Sequence, residues 1–234
     1  MLYPRLGRFT KGSAAFAASG AAVMALTLAT RTARPAQPSG GGCAAYDVIY
    51  SIAGNLQLTD TPMGAGNGTY PVGPGSVVLR VDPQAGRTTM VSFEMPERFG
   101  IDSKKLFWTT HVDMNATARA TPAGTGACAS VAEGAMRGQS LAWATRANGF
   151  HTDGTIGCRG SMCGKFGAPP PGTSDLHIGP SDVQLSPFEF SPDGRTFTMA
   201  STFVSKTASP KQTAHLALAG HEVSRTCAPV AQCR

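Results

Sequence analysis

The sequence predicts an all-β fold: a single antiparallel β-barrel or a two-sheet sandwich, with long disulfide-stapled loops. Three observations carry this. Apolar and polar residues alternate with period two through most of the chain beyond Cys43, the pattern of strands with one buried face. No segment longer than about ten residues carries a helical stripe. Six cysteines, Cys43, Cys128, Cys158, Cys163, Cys227 and Cys233, all follow an N-terminal leader, and an even count in an exported chain points to three disulfides.

The leader comes first. Arg5, Arg8 and Lys11 precede an uncharged stretch, Ser13–Thr30, rich in Ala, Leu, Val and Met, with small residues at Thr27 and Ala29. This is the layout of a secretory signal peptide over residues 1–30. Alanine gives little transfer free energy, which argues against a stable membrane span. Residues 31–42 (RTARPAQPSGGG) form a flexible linker. A lipidated Cys43 lacks the aliphatic residue expected three positions before it and would leave an odd number of thiols. The membrane is therefore a partner only if the leader stays uncleaved or Cys43 is lipidated. Residues 1–36 hold five of the 20 basic residues and none of the 14 acidic ones, so the rest of the chain is close to neutral. With no basic stripe, nucleic acid is excluded as a partner.

Residues 43–234 read as one all-β domain. Tyr46, Val48, Tyr50, Ile52, Leu56 and Leu58 share one strand face, opposite Asp47, Ser51, Asn55, Gln57 and Thr59. Val77, Leu79 and Val81 form the next face, followed by Val91, Phe93 and Met95 opposite Met90, Ser92 and Glu94. Leu106, Trp108, Val112 and Met114 oppose Thr109, His111, Asp113 and Asn115; Leu141, Trp143 and Thr145 make another face. Phe188 and Phe190 run into Ser-Pro-Asp-Gly-Arg, a turn signal, and Phe197, Met199 and Phe203 complete a hairpin. Leu216 and Leu218 alternate with His215, Ala217, Ala219 and His221. Ser130 and Glu133 match a capping box, which allows one helical turn at most.

Eight to ten strands at this spacing resemble, in layout only, an up-and-down barrel of the lipocalin type. A binding domain built from these alternating strands and long Gly/Pro loops predicts a lumen lined by Tyr50, Phe93, Trp108 and Trp143.

The short cysteine spacings suggest 158 with 163, 227 with 233, and by elimination 43 with 128. The alternative joins Cys43 to Cys227 or Cys233, because first and last strands are neighbours in a closed barrel. Cys158-x4-Cys163 with His151 offers three ligands at loose spacing, which suits a stapled loop better than zinc or a redox pair.

Candidate chemistry is sparse. Gly64–Thr69 resembles a phosphate cradle but is followed by a strand pattern, where such a site needs a helix. His221-Glu222 begins a zinc-protease motif, but Arg225 stands where the second histidine belongs. No Gly-x-Ser-x-Gly elbow exists. Asn67 and Asn115 sit in glycosylation sequons. His111 and Asp113 share a strand face, and His151 and Asp153 repeat the spacing, although Gly154 suggests a loop there; His111, Asp113 and His151 are the candidate metal ligands if those faces converge. The expectation is an exported, periplasmic or extracellular domain without enzymatic activity that binds a small apolar molecule or an envelope partner. The alternatives are a metal-dependent or acid–base enzyme on the same barrel and a tethered cell-envelope structural protein. No cofactor is indicated.

Overall fold

The computed structural model describes residues 43–59, 67–105, 108–124, 128–165, 168–205 and 212–228; the expected leader and linker, residues 1–42, lie outside them. Eleven strands run in chain order: β1 (Tyr46–Thr59), β2 (Gly68–Asp82), β3 (Arg87–Lys105), β4 (Trp108–Ala120), β5 (Ala132–Arg137), β6 (Ser140–Trp143), β7 (Ala147–Gly160), β8 (Gly172–Val183), β9 (Phe188–Phe190), β10 (Thr196–Ser205) and β11 (Gln212–Cys227). The sheet order is β2-β1-β11-β10-β9-β6-β5-β3-β4-β7-β8, and a further β2–β3 pairing closes it. Eight strands, β1, β2, β3, β5, β6, β9, β10 and β11, form the closed antiparallel barrel. Taken in chain order, each barrel strand pairs with the next, so the topology is up-and-down. β4 and the β7–β8 pair are excursions from this path, and they extend the sheet outward from β3.

Period-two alternation fills the barrel. Tyr46, Val48, Tyr50 and Ile52 of β1 point inward with Val77 and Leu79 of β2, Leu141 and Trp143 of β6, Phe188 and Phe190 of β9, Phe197 and Met199 of β10, and Leu218 of β11. Each such side chain stabilises the fold by about 1.5–3 kcal/mol when removed from water. The rings interlock: Phe188 stacks on Phe197 at 4.5 Å, and Tyr50 meets Phe197 edge-on at 5.2 Å. At the lower end, the Ser191–Thr196 turn is held by Asp193, which accepts hydrogen bonds from the Ser191 hydroxyl and the Arg195 amide. Tyr50 donates its hydroxyl to the Gly194 carbonyl at 2.8 Å. Arg225 grips Glu222 through two hydrogen bonds and lies 5.0 Å over the Tyr46 ring.

Three expectations are corrected and one, the third, is narrowed. Cys43 bonds to Cys227, as the alternative pairing had it, and not to Cys128, and Cys227 is therefore not joined to Cys233. The reason is register: β1 and β11 are neighbours with Tyr46 opposite Cys227, which brings the Cα atoms to 5.5 Å. Cys158 and Cys163 pair as the spacing implied; Cys128 is disulfide-bonded, and Cys233 lies outside the described residues. Second, a bulge on β3 sets Leu79 opposite Met90 and Val78 opposite Ser92. Val91 is the extra residue, so Met90, fully buried, joins Phe93 and Met95 in the core. Third, Ser130 bridges Ala123 and Glu133 lies in β5, so no helical turn forms there. Fourth, β7 runs unbroken through Gly154, where a loop was expected. A Cβ there would sit 2.3 Å from the Asn115 carbonyl oxygen, so glycine serves close strand approach. Leu106 lies outside the described residues.

Candidate functional site

The barrel is cut obliquely at its upper end. β5, β6 and β9 are short, whereas β1, β2, β3, β10 and β11 continue past the packed core. β2 pairs with β3 only as far as Ser76–Glu94. Beyond that point β3 pairs with β4 from Glu94–Arg119 to Lys105–Trp108, β4 with β7, and β7 with β8. On the other side, β1 keeps its pairing with β2 and β11 up to Leu58 and Thr59. Tyr70 of β2 stacks on Phe99 of β3 at 5.0 Å across the place where the ladder ends. The result is a tall wall, β8-β7-β4-β3-β2-β1-β11-β10, with the short strands β5, β6 and β9 ending below it.

The two faces of the tall wall differ in chemistry. The inner face continues the apolar alternation above the core. It carries Leu56, Tyr70, Phe99, Ile101, Met114 and Leu216, all half-buried, and Ile178, 45% exposed. At its root Ala116, Ala118 and Ala120 are buried, and small residues there let Phe150 of β7 reach Phe93 of β3 at 5.1 Å. Glu97 lies on this face between Met95 and Phe99, opposite Ala116. Burial raises its carboxyl above the ordinary value of 4.5, because no cation offsets the lost hydration.

The outer face is polar. Across β3, β4 and β7, Asp102, His111 and Arg159 are register partners. His111 Nδ1 lies 2.6 Å from Asp102 Oδ1 and its Nε2 2.6 Å from Asp113 Oδ1. Arg159 donates to Asp113 at 3.0 Å. Carboxylates only accept, so both short bonds require both ring nitrogens to carry protons. The two bonds, to Asp102 and then Asp113, therefore raise the pKa of His111 above 6.5, and the bond from His111 lowers that of Asp113 below 3.8. Nearer the root, Asp153 contacts His151 at 3.5 Å and bonds to His177 of β8, while Arg119 meets Glu94 at 3.2 Å.

The residues singled out from sequence distribute as follows. His111 and Asp113 come together. His151 does not join them: its partner on β4 is Arg119, eight residues from His111 and so about 27 Å away along the strand. Among the described residues no three His, Cys, Asp or Glu side chains are placed to hold a metal ion. Tyr50, Phe93 and Trp143 are buried core residues. Trp108 begins β4, and its side chain lies outside the described set. Sequence reading missed Asp102, Arg159, His177 and Glu97. The first three come from strands whose neighbours are fixed only by register, and Glu97 was hidden because a lone charge carries no motif.

A separate recess of about 600 Å³ lies against β1, β10 and β11, lined in part by Ala53, Asn55, Ala217 and Ala219. Its carboxylate, Glu189, already accepts a hydrogen bond from Ser140 at 2.7 Å, so the recess offers few polar anchors. Among the described residues, no helix is long and apolar enough to cross a membrane. No family model, curated protein or solved structure matches this chain.

Proposed function

We propose that the protein is an exported, non-enzymatic binding protein that takes an apolar molecule on the inner face of the tall wall. The observation that carries this reading is the run of half-buried apolar side chains, Leu56, Tyr70, Phe99, Ile101, Met114 and Leu216, continuing above a core that is already packed. Apolar surface of this kind gains about 25 cal/mol for every Å² a ligand removes from water. The packed rings of Tyr50, Phe93 and Trp143 close the barrel beneath and belong to the scaffold. Export is supported by the leader sequence, and by disulfides, which persist in oxidising compartments.

The test uses N-phenyl-1-naphthylamine, a neutral apolar fluorophore. The expected result is saturable enhancement of its emission. Phe99→Asp places a charge in the middle of the apolar face and weakens binding at least about tenfold, the effect of losing 1.4 kcal/mol, while the far-ultraviolet spectrum stays that of a β-protein. No saturable binding, or binding indifferent to Phe99→Asp, rejects the reading. Mass spectrometry of the exported protein's N-terminus tests the leader: a free terminus between residues 28 and 43 is expected, and an intact leader rejects the cleavage.

A further inference from the structure

The tall wall ends in an open edge. Among the described residues β8 pairs on one side only, with β7, so its other side presents unpaired backbone donors and acceptors, a template for a further strand. The strand is regular over its first half, with each residue from Gly172 to Ile178 opposite one of β7. At Gly179, φ is +98°, and Pro180 follows without an N–H. The pairable segment is therefore Thr173–Gly179.

We propose that this edge pairs antiparallel with the same edge of a second copy of the chain, about a two-fold axis at Leu176. Directly opposed residues in an antiparallel sheet lie on one face, so a continuous sheet requires the two opposed residue numbers to have the same parity. The candidate registers then centre on single residues, and charge selects among them. Centring on Asp175 sets Asp175 against its own copy and Thr173 against His177, with carboxylates opposed at the axis. Centring on His177 opposes two histidines and sets Ser174 against Pro180, which has no donor. Centring on Leu176 sets Asp175 against His177 of the other copy, twice, and Leu176 against Leu176. Like charges directly opposed are destabilising, and only this register sets each Asp175 carboxylate against an imidazole of the other copy and opposes no two carboxylates.

The chosen register also continues both faces of the wall. On the polar side, His177 already bonds to Asp153 of its own chain and is 88% exposed in its side chain. In the dimer it stands between Asp153 and the second copy's Asp175, so carboxylate and imidazole alternate along the row. On the apolar side, Leu176 meets its counterpart and the exposed Ile178 faces Ser174, so the paired leucines join the inner faces of the two copies. This inference rests on the edge and its charges and stands whether or not the wall takes an apolar molecule.

Sedimentation equilibrium of the purified exported protein tests it. The expected result is a reversible monomer–dimer equilibrium, as a small interface gives. Asp175→Lys sets a lysine against His177 at both pairs, and His177→Glu sets a glutamate against Asp175 at both; each variant alone dimerises at least about tenfold more weakly, the factor that 1.4 kcal/mol gives. Mixing the two variants restores association, because the introduced lysine then faces the introduced glutamate at one pair and His177 faces Asp175 at the other. A wild type that is monomeric at every concentration overturns the proposal, as do variants that dimerise unchanged or a mixture that fails to recover. Retention of both described disulfides in each variant separates lost pairing from lost folding.

Discussion

At the scale of single residues, two titratable groups on opposite faces of one sheet behave in opposite ways. His111 is held protonated by Asp102 and Asp113. Its pKa is raised, so its contribution to stability is complete below 6.5 and is lost as pH rises through the folded value. Asp113 is lowered, so its contribution is present above 3.8 and is lost as pH falls through its folded value. The pair is thus fully formed between about pH 4 and 6.5. In thermal melts, His111→Gln is expected to lower the midpoint in that window and to converge on the wild type at alkaline pH; a constant offset at all pH values would refute this. Glu97 has the reverse sign to an ordinary carboxylate. Burial raises its pKa, so its ionised form opposes folding above 4.5 and the penalty vanishes as pH falls. Glu97→Gln is expected to raise the melting midpoint at pH 7 and to leave it unchanged below pH 4. The His-x-Asp spacing was legible in the sequence, because side chains two apart on a strand share a face. Asp102 and Arg159 were not, since they reach His111 only through the register of β3 and β7.

At the scale of elements, strand faces were legible and their partners less so. The alternation in β1, the inward face of β6 and the Ser-Pro-Asp-Gly-Arg turn between β9 and β10 all stand as read. Val91 was placed on the wrong footing because a bulge inserts one residue without changing composition. Staple positions divide the same way. Cys158 and Cys163 are five residues apart, and local spacing reveals them. Cys43 and Cys227 are separated by 184, and only the adjacency of β1 and β11 joins them. Their energetic weights differ accordingly. Loop-closure entropy assigns about 5 kcal/mol to the long link and about 2 kcal/mol to the short one. Replacing Cys43 and Cys227 together by serine is expected to lower the urea midpoint well beyond the effect of replacing Cys158 and Cys163. Equal effects would show that strain or residual structure outweighs chain entropy.

At the scale of the whole molecule, barrel and sandwich shared every local signal available, because both bury one face of each strand. What separates them is closure, the pairing of β1 with β11 and of β2 with β3, and no period or motif encodes it. Leu56 and Leu58 read as part of a strand face in the sequence, whereas Phe99 and Ile101 do not. The apolar alternation in Leu56, Leu58, Phe99 and Ile101 outruns what a closed core needs, and that surplus is the tall wall.

The cylinder is not equally strong around its girth. β1 and β11 are laced along Tyr46–Thr59, whereas among the described residues β9 is paired at two positions on each side, to Ser140 and Leu141 of β6 and to Phe197 and Thr198 of β10. A seam along this short strand is where the hoop is expected to part first when the protein breathes. Deuterium should enter the amides of β6 and β9 long before those of β1 and β11, and anything bulky that gains the interior would do so sideways through this slit, not over the rim.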